Sequence, residues 1–402
     1  MTTFLQLHLL TSYPPACLNR DDLNRPKTAL MGGVPRLRIS SQSLKRAWRV
    51  SSIFKETVSG QTGIRSKEIA RLIRDSLLSG ISLVELVKPN SPKIDADGKV
   101  LESDAKEWAW IIAGEYVNKK SSGTDEEAEP AEEKESKSKK KTAKSNVSKE
   151  TLKSEQVVFY SKSEIEAIDL LIIDLRESGK PPTADHLKRI KVKGAKGTAD
   201  LALFGRMLAS SPDHNVEAAC QVSHAITVHR AAVEDDFFTA VDDLNRHEED
   251  AGSAHMGEQG FGAGLFYTYV CIDCDLLIAN LNGDDKSIEL AEKTIKALIE
   301  AAAKVAPTGK QNSFASRAQA YYVLAEKGPR QPRSLSLAFV KPVDDKGEGM
   351  AANAIYALEK LRDNMDKVYY GGENSPDQII DALKGEGSFA ELLEWAAACK
   401  GA

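Results

Sequence analysis

The chain has 402 residues, 42% hydrophobic and 28% charged, a balance that suits two or three soluble folding units and excludes both a disulfide-stapled miniprotein and a wholly disordered chain. Its formal net charge is -5, from 54 basic and 59 acidic residues, so a bulk-basic argument for nucleic-acid binding fails. The most apolar stretch, 165–175, is broken by Glu166, Asp169 and Asp174, the opening MTTFLQLHLL lacks a basic n-region and cleavage site, and the five cysteines (Cys17, Cys220, Cys271, Cys274, Cys399) are scattered. These features lead us to expect no membrane span, no signal peptide and a reducing cytoplasm.

The distribution of charge says more than its total. Residues 1–50 carry eight basic side chains, Arg36 and Arg38 among them, against Asp21 and Asp22, giving +6 and leaving the remainder at -11. A local basic surface on an acidic chain points to an anion site. The opening reads as a strand, with Leu5, Leu7 and Leu9 on one face and Phe4, Gln6, His8 and Leu10 on the other. Pro14 and Pro15 end it, and a polar loop runs through Gly32 and Gly33, where backbone could approach a ligand closely. Arg36 to Ile39 reads as extended. Ser40 or Ser41 then caps a helix predicted from about Gln42 to Phe54. On it Gln42, Lys45, Arg46 and Arg49 share one side, while Leu44, Ala47, Trp48 and Phe54 lie opposite.

Residues 61–210 read as a mainly helical insertion, with Ile69, Ile73, Leu77 and Leu78 at helical spacing. Inside it, 119–153 is nearly devoid of large apolar residues, with acids preceding lysines in blocks, and reads as a disordered solvated linker or as a lysine arm that touches phosphates. Strand alternation returns at Val222 to Val228 and Phe266 to Ile272. Between them, 230–258 holds nine acidic residues against Arg230 and Arg246, net -7, and an aromatic pair, Phe237 and Phe238. The pair either anchors the loop to its own core or forms an apolar wedge for a base stack; acidic flanks then require another basic surface nearby, which the +6 region of a neighbouring copy would supply. Such a heterologous contact repeats as an open filament. A helix from about Asp284 to Val305, strands at Ala318 to Leu324 and Leu335 to Phe339, and C-terminal helices over 346–402 complete the reading. The plan is α+β, a β-α-β-β-α-β arrangement with antiparallel sheet and two large insertions.

Motifs for other chemistry fall short. Cys271 and Cys274 are three apart in an expected strand, with no second pair to complete a metal site; His247-Glu248 lacks a second histidine at Ala251. Gly257, Gly260, Gly262 and Gly264 precede a strand, and Leu265 stands where a dinucleotide loop needs glycine. No cofactor or metal is expected. Asp21-Asp22 beside the basic surface leaves open a catalytic carboxylate, or a role orienting Arg20, Arg25 or a backbone turn.

The strings CLNRDD (17–22), ALMGG (29–33), RLRISSQSLKRAWR (36–49), HAIT (224–227), FTAVDDL (238–244) and GSAHMG (252–257) closely resemble the CasC-type backbone subunit of the type I-E CRISPR surveillance complex, Cascade. The resemblance implies a modified ferredoxin-like, RNA-recognition-type palm over 1–60 and 211–345, a thumb loop within it at 230–260, and helical fingers at 61–210. It implies a cytoplasmic, non-enzymatic subunit whose copies polymerise head-to-tail on a CRISPR guide RNA, each thumb kinking the guide so that the segments between pair with target DNA. The other Cascade subunits (large, small and guide-end-binding) would be its partners. Carried over by position, the RNA-binding residues are Asn19, Arg20, Lys27, Ser40, Gln42, Lys45, Arg46 and Arg49, with Arg206 and Met207 beside the displaced base, Lys310 on the backbone, and Phe237 and Phe238 as thumb wedge. The lysine-rich linker and the C-terminal extension depart from the family pattern. The rival reading is a metal-dependent endoribonuclease like the backbone subunits of type III complexes, with Asp21 or Asp22 as catalytic carboxylate.

Overall fold

The computed structural model describes residues 2–88, 90–117, 151–154, 156–190, 194–208, 212–240, 255–373 and 375–398. In chain order the elements are β1 (Phe4–Ala16), β2 (Thr28–Met31), β3 (Val34–Ile39), α1 (Ser41–Val50), α2 (Ser52–Thr57), β4 (Ile64–Ser66), α3 (Ile69–Ser79), α4 (Leu83–Leu86) and α5 (Glu102–Ala113). There follow β5 (Val158–Tyr160), α6 (Lys162–Ser178), α7 (Ala184–Arg189), α8 (Ala199–Phe204), β6 (Cys220–Val222), β7 (Ala225–Thr227), β8 (Glu234–Ala240) and β9 (His255–Asp273). The chain closes with α9 (Cys274–Leu281), α10 (Asp285–Lys304), α11 (Gln311–Phe314), β10 (Ala320–Gly328), α12 (Met350–Tyr370), β11 (Asp377–Asp381) and α13 (Phe389–Ala397). Among the described residues no helix is long and apolar enough to cross a membrane.

The architecture is α+β, as expected. Two compact units divide the chain: Met1–Gly60, Ala219–Ala279 and Gly283–Ala402 form the first, and Gln61–Ala218 with Asn280–Asn282 the second. In the first unit the sheet runs β11-β10-β1-β9-β7-β3-β2, and its neighbours pair antiparallel. The inner order β10-β1-β9-β7 is that of a β-α-β-β-α-β domain, with α1 after the first strand and α10 before the last. Both faces of β1 are buried. Leu5, Leu7 and Leu9 occupy one, and on the other Leu10 joins Tyr267, Tyr322, Leu324, Phe339 and Leu358 in a cluster under α12. His8, also buried, lies 2.9 Å from the Tyr267 hydroxyl and 3.3 Å from Glu326, whose second oxygen accepts from Arg333 at 3.1 Å. The sheet aromatics that an RNA-recognition domain would offer for base stacking are thus covered here.

The second unit is mainly helical around a core of Ile73, Leu77, Trp108, Ile112, Ile165, Ile168, Ile172 and Leu175. Most of the acid-lysine linker lies outside the described residues. Its last part does not behave as a linker: Leu152 is buried and Lys153 pairs with Glu68 at 3.0 Å.

Four sequence expectations need correction. β1 does not end at Pro14 and Pro15 but runs to Ala16, which pairs with Gly262 of β9 after a register shift. Leu335 to Phe339 is not a strand: Ser336–Phe339 is a 3-10 turn, and Leu335 and Phe339 are buried while Leu337 is exposed. The C-terminal segment 346–402 is not wholly helical, since β11 extends the sheet by pairing with β10. The predicted helix from Gln42 to Phe54 is two helices. Ser51, with φ -65° and ψ 151°, caps both: its Oγ donates to the Trp48 carbonyl at 2.7 Å and accepts the Phe54 N–H at 3.2 Å.

Candidate nucleic-acid interface

Ser40 starts α1 by accepting the Ser43 N–H on its Oγ, and its own N–H donates to Asn19 Oδ1 at 2.9 Å. Leu44, Ala47 and Trp48 are buried beneath the helix. Gln42 and Arg46 are exposed on the other side, with Lys45 and Arg49 half-buried beside them. The stems of such cations lie along the protein while their heads remain near water.

The segment before β2 shapes the ground next to this face. Asp21 Oδ1 accepts the N–H groups of Leu23 and Arg25 at 3.0 and 2.9 Å, which closes a turn with Asn24 in the left-handed region at φ 65°. Arg20 donates to Asn24 Oδ1 at 2.6 Å, and the Lys27 N–H reaches the Asn19 carbonyl at 2.9 Å. Between loop and helix opens a cleft of about 470 Å³ lined by Asn19, Arg20, Asp21, Ser43, Arg46 and Gly309. A side chain at Gly309 would meet the Leu18 carbonyl at 2.3 Å, so only glycine lets this wall close on the loop. Lys310, next to it, donates to Gln259 Oε1 at 2.9 Å.

Two residues expected on phosphate have another task. Ser40 is buried and caps the helix, and Asn19 spends its side-chain oxygen holding Ser40; both shape the site. Asp21 likewise orients a backbone turn. Arg36, counted into the basic surface from sequence, is fully buried and donates to the carbonyls of Thr227 at 3.1 Å and Phe339 at 2.8 Å.

The segment with the aromatic pair is a strand in its described part, not a loop. Phe237 pairs with Glu258 and Phe238 with Gly257 in a β8-β9 ribbon. The phenylalanines are 66% and 42% exposed, respectively. The Phe238 ring rests over Gly257, where an added Cβ would lie 2.4 Å from it, which gives the glycine-rich stretch of β9 a packing purpose. Gly257→Ala is expected to cost about 1–3 kcal/mol of ribbon stability, read as faster amide exchange across β8; unchanged exchange would mean that the ring does not rest there. At the base of the ribbon Asp235 pairs with Arg25 at 2.7 Å, so part of the charge complementarity expected between copies is satisfied within one chain. His247, Glu248, most of FTAVDDL and the start of GSAHMG lie outside the described residues.

A family model for CT1975-like proteins matches residues 5–391. The chain belongs to the CT1975-like protein family. Among solved structures, it is similar to a chain of one described as "CRISPR RNA-guided surveillance complex, pre-nicking", with a TM-score of 0.72 and 26% identity over 98% of this chain and 100% of that one. It also shares its fold with a chain of a second, "CRISPR RNA-guided surveillance complex", at a TM-score of 0.54 and 22% identity over 99% of this chain and 100% of that one. No curated protein matches the sequence.

In this CT1975-like protein Arg206 and Met207, expected beside a displaced base, part company. Arg206 is buried in the second unit, where Nη1 and Nη2 grip both oxygens of Glu164 at 2.7 and 3.0 Å, Nη1 also reaches the Phe159 carbonyl at 2.7 Å, and Nε donates to the His214 carbonyl at 2.8 Å. Its guanidinium is unavailable to RNA. Met207, the next residue, is 85% exposed, so Arg206 anchors the segment that presents it. Sequence counting also passed over Arg38 and His224 as a pair. Their side chains meet at 3.1 Å, and the signal available was alternation in RLRI and HAIT.

Proposed function

We propose that this chain is the guide-RNA-binding backbone subunit of a type I-E CRISPR surveillance complex and is not an enzyme. The observation that carries the reading is that Arg46, from the cationic side of α1, lines one cleft with Arg20, in a chain similar over nearly its whole length to one from an RNA-guided surveillance complex. The type I-E assignment rests on the strings RISSQSLKRA and FTAVDDL. Cations on an exposed face beside a polar cleft read phosphate and not base, so sequence is left to the guide, which pairs with target DNA. Copies stack head-to-tail along the RNA, the β8-β9 ribbon of one reaching the basic region of the next with Phe237 and Phe238 as the apolar wedge, and the remaining subunits of the complex close the particle.

Expression of the chain with the other subunits of the complex and a transcript of repeats and spacers tests this. The expected product is a large particle holding RNA of uniform length and several copies of the protein. A chain that purifies free of RNA, or with RNA of every length, would overturn the reading.

A further inference from the structure

Arg36 and Arg38, two apart on β3, share one face of the sheet. That face is covered at Arg36, whose guanidinium is held by the carbonyls around the 3-10 turn, and it opens at Arg38, which is half-buried. Three segments bring basic side chains together there, two of them cations. Arg38 stands opposite Ile226 of β7, and its Nη1 donates to Nδ1 of the exposed His224 at 3.1 Å. Lys27, one residue before β2, receives the Arg38 N–H on its carbonyl at 2.8 Å, so it extends the β2-β3 register opposite Arg38. Among the described residues no carboxylate pairs with Lys27, Arg38 or His224. Like charges are gathered with no counter-charge beside them, the arrangement of a site completed by an anion. The segment leading into β7 connects this spot to α1, because Lys45 of α1 lies close enough to act electrostatically on Cys220 of β6, four residues before His224.

We propose that Lys27, Arg38 and His224 form a phosphodiester-binding subsite at the open end of β3, which carries the RNA track of α1 onto the sheet and takes up a proton when the strand binds. The inference rests on the RNA-binding reading above. An arginine can only donate, so His224 Nδ1 is the acceptor in the free protein and the imidazole is neutral. Burial first, then Arg38 and Lys27, hold its pKa below the ordinary histidine value. Those two are the charged groups that face it from β3 and from the segment before β2. From β9, Tyr269 has its N–H on Ser223 and its hydroxyl on Gln6, and burial pushes its pKa up, so it stays neutral. A phosphodiester at the junction offsets the repulsion from both cations and favours the imidazolium, which turns His224 from acceptor into donor.

The test uses the full chain and a single-stranded oligouridylate, whose bases do not titrate in the range. Affinity is measured by fluorescence anisotropy across a salt series at about pH 8 and about pH 5.5. Arg38→Gln should weaken binding and lower the log-log salt slope by about 0.7, the value of one phosphate contact on a single strand. Wild-type binding should tighten as pH falls, by at most about tenfold per pH unit for one proton, and His224→Gln should flatten that gain. An unchanged slope in Arg38→Gln, or an equal pH gain in His224→Gln, overturns the subsite. Arg46→Gln is measured alongside: if it weakens binding while Arg38→Gln does not, the subsite alone falls, and if neither weakens it, the RNA-binding reading falls too.

Discussion

Replacing Lys45, Arg46 and Arg49 together with alanine is expected to lower the salt slope of single-strand binding by about 2, at roughly 0.7 per cation, and to abolish stable RNA retention at physiological salt. The three share one side of α1 with Gln42, and their loss removes the densest part of the cationic face at once. The fold should tolerate the change. Leu44, Ala47 and Trp48 fix the helix from below, Ser40 caps it independently, and alanine is the best helix former. Unfolding should therefore shift little while affinity collapses. Trp48→Ala would do the reverse, costing about 3–5 kcal/mol through the cavity it leaves. If the triple variant binds RNA with unchanged affinity and salt dependence, α1 is not the phosphate-binding face.

What could be read from the sequence follows from how far each determinant reaches along the chain. Local periodicity announced β1, the amphipathic α1, the long α10 and the strand alternation of β9, because residues two, three or four apart decide which face is buried. The same local rule failed at LSLAF. There, alternation and helical spacing both fit, and only contacts with the sheet, where Leu335 donates its N–H to the Tyr267 hydroxyl at 3.0 Å, choose the turn. Charge was misjudged for the same reason. Arg36 counts as surface until one sees carbonyl partners 191 and 303 residues away. Asn19 and Ser40 are read as ligand contacts until their mutual hydrogen bond assigns them to the frame. Residue type shows that a group can bind phosphate, and burial then decides whether it is free to.

Arg206→Ala is expected to destabilise the second unit by about 3–5 kcal/mol, because Glu164 would be left buried without its bidentate partner. Glu164 is doubly committed: beside the bidentate pair, its Oε2 accepts the Ser161 N–H at 2.7 Å in the capping box that starts α6. The loss should therefore appear as faster amide exchange across α6 together with earlier unfolding in urea. Glu164→Gln combined with Arg206→Met should recover much of the stability, since the pair is removed as a whole, glutamine can still close the capping box, and methionine fills the space of the arginine stem. The recovery carries the argument: were Arg206 a direct RNA contact, the double variant would regain nothing in binding. An anchor behind the exposed Met207 predicts that RNA binding returns with the fold. A single Arg206→Ala variant with wild-type stability, or a stable double variant that no longer holds RNA, would restore Arg206 to the interface.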